Sequence, residues 1–147
     1  MTCRVVVPDV ATLPLSDGDS LTVKQRLSSG EERRMIRRGV SYTPDGVRQF
    51  DPVEGGVSKI LAYLLDWTVR GPDGRVVPIR DEPPAVVEAA LDLLDPDSYT
   101  EILRAIEAHE RRMNEARAEE KKLRTGAPTS SATSPSPAVA VGATSGS

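Results

Sequence analysis

The sequence predicts an α+β fold, mainly α-helical: a small helical domain with short β-hairpins and a disordered C-terminal tail. Three observations point there. The chain of 147 residues carries one Trp, one Phe and three Tyr, so its core must come from Val, Leu, Ile and Ala, which suits helix packing over a large aromatic-rich sandwich. Apolar residues recur at helical spacing in the middle and second half, and short Val-rich stretches broken by proline occupy the start. The expected layout is one domain over 1–124, with a hairpin in 1–27 and helices plus a central hairpin in 28–124, followed by a tail over 125–147.

Arg4 to Leu15 is extended or edge strand, because Pro8 and Pro14 cannot donate ladder hydrogen bonds. Ser16-Asp17-Gly18-Asp19 is a turn by composition. Leu21 to Leu27 then alternates apolar with polar, so Leu21, Val23 and Leu27 share one side of a strand. A helix opens at Ser28 or Ser29, each with a Glu three residues on, and runs to Arg38, with Gly39 as its stop. Within it only Met35 and Ile36 are offered to a core.

Ser41 to Asp51 reads as a loop around the turn Thr43-Pro44-Asp45-Gly46. Val57, Ile60, Leu61, Leu64 and Leu65 recur as on a helix, which predicts a core helix over 53–66 whose first turn Gly55 and Gly56 weaken. Trp67 to Arg70, Gly71-Pro72-Asp73-Gly74 and Arg75 to Ile79 form a hairpin with a tight turn. Trp67 is the expected anchor of the core. Pro83-Pro84 begins a helix with Val86, Val87, Ala90, Leu91 and Leu94 as its buried stripe.

Asp95 is the N-cap and Pro96 the first residue of the last helix. Its stripe runs through Tyr99, Ile102, Leu103, Ile106 and Met113, after which Glu115 to Lys122 is almost wholly charged. Thr125 to Ser147 has no charge and no aromatic, too little bulk to offset the entropy of ordering.

The formal charge is −3 and there is one cysteine, Cys3. No internal disulfide is possible, and neither a strongly basic nor a strongly acidic field dominates. No apolar run reaches the length of a membrane helix, the stretch Ile60 to Trp67 being broken by Asp66. The reading is a soluble protein without a secretory signal or membrane partner.

Catalysis would have to use His109, set in Ala108-His109-Glu110-Arg111 and expected to be a solvated helix residue. No nucleophile, base and orienting group converge on it. One Cys and one His exclude the common zinc patterns, and Asp92, Asp95 and Asp97 lack the spacing of a calcium loop. Gly55-Gly56 is no phosphate cradle. The expectation is no enzyme, catalytic residue, metal or cofactor.

The binding candidates are cationic. Arg33, Arg34, Arg37 and Arg38 lie on adjacent strips of one helix, and Arg111 and Arg112 add charge to the last helix. Without interleaved aromatics, a protein partner is favoured over nucleic acid.

Leu21 to Leu27 ahead of a Glu/Arg helix, Ile60-Leu61-Ala62-Tyr63-Leu64-Leu65-Asp66-Trp67, a Gly-Pro-Asp-Gly hairpin, and Leu91-Asp92-Leu93-Leu94-Asp95-Pro96-Asp97 follow in an order that resembles small tail-region proteins of long-tailed bacteriophages, particularly the tail assembly chaperones. The resemblance covers Leu21 to Leu123. It implies a non-enzymatic protein of the host cytoplasm that binds the tape measure protein, keeps it soluble and recruits tail tube subunits, with self-association open. In such families a frameshift can append a second domain, and the uncharged tail suits a linker there. The alternatives are a structural minor tail or connector protein of the virion and a small nucleic-acid-binding regulator.

Overall fold

Ten elements arise from this sequence in a computed structural model that describes residues 4–125. The tail expected over 125–147 falls, apart from Thr125, outside the described residues, as does Cys3. In chain order the elements are β1 (Val10–Pro14), a 3-10 turn (Ser16–Gly18), β2 (Ser20–Lys24), α1 (Ser29–Arg38), β3 (Val40–Tyr42), β4 (Arg48–Phe50), α2 (Pro52–Tyr63), β5 (Leu64–Trp67), α3 (Pro84–Asp92) and α4 (Pro96–Thr125). The architecture is α+β, helices with small antiparallel sheets, as the sequence predicts. The chain divides into two units, Met1–Met113 and Asn114–Ser147. In the second, residues 114–124 of α4 are all exposed.

The first sheet has the order β1-β2-β5, antiparallel throughout. Alternation in β2 buries Leu21 and Val23 completely. The turn between β1 and β2 uses a left-handed Asp17 and Gly18, at φ 58° and 80°, and is pinned to α4 because the Ser16 amide and hydroxyl both donate to Glu101, at 2.7 and 2.9 Å.

The core helix is shorter than its apolar spacing suggests. It ends at Tyr63, and Leu64–Trp67, expected as its last turn and the start of a hairpin, is instead the third strand of the sheet. Trp67 faces Leu21 and Asp66 faces Thr22, but Val23 faces Leu64, so Leu65 is an extra residue, a β-bulge. That bulge lets Leu64 and Trp67, three apart, both be buried. The predicted partner strand, Arg75 to Ile79, makes only one bridge, Arg70 to Val76. Trp67 still serves as the core anchor, and its Nε1 donates to the Val77 carbonyl at 2.8 Å.

The core is Leu13, Leu21, Val23, Ile60, Tyr63, Leu64, Trp67, Ile79, Val87, Ala90, Leu91, Ile102 and Ile106. Val86, expected in the stripe of α3, is exposed, and Leu94 only lines the core. His109 corrects the sequence reading more sharply: it is 2% exposed, continuing the buried face of Ile102 and Ile106. Its Nε2 lies 3.1 Å from the Lys24 carbonyl and 3.2 Å from that of Gln25. Since carbonyls only accept, this nitrogen carries the hydrogen.

Candidate functional site

The expected loop 41–51 is largely a second hairpin, and it builds the surface of interest. β3 and β4 pair Val40 with Phe50, Ser41 with Gln49 and Tyr42 with Arg48; Gly46 makes the predicted turn at φ 81°. Directly opposed residues share a face, so Val40, Tyr42, Arg48 and Phe50 stand together. Phe50 and Tyr42 are each 69% exposed. Apolar side chains of this size left in water mark a binding surface when they cluster.

What supports Phe50 is a glycine seam. A Cβ on Gly55 would come 2.7 Å from the ring Cζ of Phe50, and one on Gly39 would meet the Gly55 Cα at 3.1 Å. Gly39 has φ −81°, so it ends α1 without a left-handed turn and allows backbone approach. The buried Ser58 hydroxyl completes the α1–α2 contact by donating to the Met35 carbonyl at 2.8 Å.

Beside this seam lies a recess of about 390 Å³. Met35, Ile36, Phe50, Pro52 and Leu103 form its apolar walls together with Gly55 and Gly56, whose missing Cβ atoms let the Phe50 ring and the Leu103 side chain lie close over them. Lys59, Glu107 and Glu110 also line it. The Lys59 ammonium is 2.9 Å from Glu110 and 3.8 Å from Glu107, and the Tyr63 hydroxyl also donates to Glu110, at 3.4 Å. Glu110 is thus held on two sides, whereas Glu107 is half exposed and only weakly paired.

The predicted arginines divide. Arg33, Arg34 and Arg37 are exposed, as are Arg111 and Arg112 on α4. Arg38 is structural: Nη2 lies 2.6 Å from both oxygens of Glu88 and Nε 3.4 Å from Glu54, tying α1 to α3 and α2. The Arg38 hydrogen bond holds Glu88 below the usual carboxylate range, and Glu88 in turn raises Arg38 further. A second recess of about 300 Å³ places Arg34 near Lys24, Glu31, Met35 and Ser58, with Lys24 paired to Glu31.

Sequence reasoning named none of Phe50, Leu103, Lys59 and Glu107 as a binding residue, and took in Glu110 only as the start of the charged segment Glu110 to Arg124 that, with the Arg33 to Arg38 helix, could offer a groove. Glu107 and Glu110 were legible only as charge on a helix. The spacing of Leu103, Glu107 and Glu110 on one helix face was the available signal.

Among the described residues no group of three or more His, Cys, Asp or Glu is placed to hold a metal ion, and no helix is long and apolar enough to cross a membrane. No protein-family model matches the chain, and comparison with curated proteins and with solved structures finds no match.

Proposed function

We propose that this protein is a non-enzymatic assembly adaptor that binds a helical segment of a client protein, and that its particular role is that of a phage tail assembly chaperone acting on the tape measure protein in the host cytoplasm. One observation carries the adaptor reading: the exposed Phe50, propped on the Gly39–Gly55 seam beside a recess walled by Met35, Ile36 and Leu103. A groove with separate apolar anchor points suits the i, i+3, i+4 side chains of an amphipathic helix. The phage assignment rests on the sequence resemblance alone.

The test is affinity purification of the tagged chain from its producing cells, beside a Phe50→Asp variant, with mass spectrometry of what co-purifies. The expected result is a long helical tail protein present with the parent and lost with the variant. The same proteins with both would overturn the Phe50 recess as the client site. A client other than a tail protein, still lost in the variant, would overturn the phage role and keep the adaptor.

A further inference from the structure

Resting on the adaptor reading, we infer that the Phe50 recess selects a basic amphipathic helix, one whose apolar anchor is followed about a turn later by Lys or Arg. The charge among its lining residues carries this. Two carboxylates, Glu107 and Glu110, face the single ammonium of Lys59, which leaves one negative charge in excess among the lining residues.

The excess sits on Glu107. Glu110 receives both Lys59 at 2.9 Å and the Tyr63 hydroxyl at 3.4 Å, while Glu107 is 3.8 Å from the same ammonium with its side chain 44% exposed. Leu103 of the apolar wall and Glu107 are four residues apart on α4, about 6 Å along one face. An incoming helix that places an apolar side chain against Leu103, Met35 and Phe50 therefore brings the residue three or four positions away beside Glu107. A cation there gains a charge-assisted partner, whereas a carboxylate meets an uncompensated one.

No arginine is among the residues that line the Phe50 recess. Arg34 lines the separate recess with Lys24 and Glu31, and from α1 the Phe50 recess takes only Met35 and Ile36. The preference is opposite to the acidic partner that the arginines alone suggest.

Fluorescence anisotropy of the full chain with two labelled, helix-stabilised peptides tests it, both carrying the same Leu/Met stripe, one flanked by Lys and Arg and the other by Glu. The basic peptide should bind at least about ten-fold more tightly at low salt, the advantage shrinking as salt screens it. Glu107→Gln, whose melting should match the parent, should erase the preference and leave weak apolar binding. Phe50→Ala should weaken both peptides.

Equal affinities, or a preference that survives Glu107→Gln, would overturn the charge inference while a Phe50 effect kept the adaptor reading. Neither peptide binding, with Phe50→Ala without effect, would overturn both. Sedimentation showing a dimer that Phe50→Ala dissociates would assign the recess to a second copy, and overturn the inference as well.

Discussion

His109 donates from Nε2 to the carbonyl oxygen of Lys24 at 3.1 Å, joining α4 to the end of β2 across 85 residues of sequence. The same hydrogen is shared with the Gln25 carbonyl at 3.2 Å, and the ring stands edge-on to Tyr63, with centroids 6.0 Å apart. The histidine is therefore a clamp on the outgoing strand, with its Nε2 occupied.

His109→Ala is expected to cost about 3 kcal/mol, since it removes a buried ring and leaves two carbonyls without their donor. Urea unfolding measures this. Nitrogen-15 NMR of the parent at neutral pH should show the Nε2–H tautomer; an equal mixture of tautomers would contradict the geometry.

Trp67→Ala should cost about 3 to 5 kcal/mol for the loss of a buried indole. Trp67→Phe keeps most of the packing but not the hydrogen bond to Val77, and should cost about 1 to 2 kcal/mol. A Phe variant as unstable as the Ala variant would show that the hydrogen bond to Val77, and not ring packing, sets the cost.

Arg38 should separate from its neighbours. Replacing Arg33, Arg34 and Arg37 together by Ala should shift stability by less than about 0.5 kcal/mol per site, while Arg38→Ala alone should lower the melting temperature measurably. Because Arg38 depresses the Glu88 carboxyl, the stabilisation is present above the unfolded carboxylate pKa, near 4.3. It is lost as pH falls through the lower folded value. Denaturant titrations across that range should show the gap between parent and Arg38→Ala closing in acid.

Ser28 and Glu31 form a reciprocal capping box at the start of α1. Partial burial works to raise the Glu31 carboxyl, but the hydrogen bonds from Lys24 and Ser28 together bring it below its ordinary value. Its contribution is thus also complete above about pH 4.3 and lost on acidification. Ser28→Ala should cost about 1 kcal/mol and leave most of that acid limb in place in thermal melts taken from pH 7 down to pH 3, because Lys24 and the Ser28 backbone amide still hold the carboxylate.

The capping box, Asp95 beneath Ser98 and the alternation of β2 were legible because each is a local rule acting within a few residues. Leu64 to Trp67 was not, because its apolar residues continue the helical spacing of Ile60 and Leu61 and only pairing with β2 makes it a strand. The Val40–Phe50 hairpin escaped notice for the opposite reason: its strands are only three residues long and bury nothing. His109 sits among charged neighbours, yet Ile102 and Ile106 already mark the stripe it extends. The recess draws residues from α1, β4, α2 and α4, and no single segment announces it.

Leu65 gives α2 and β5 a junction with no connecting loop, Tyr63 ending one and Leu64 opening the other. A helix and a strand count their inward positions by different periods, and the surplus residue absorbs the mismatch where other chains would insert a turn. In an unbulged strand two residues apart means one face, so a chain lacking Leu65 would still set its Leu and Trp inward. This is a place where the chain can lose a residue without losing its sense of inside.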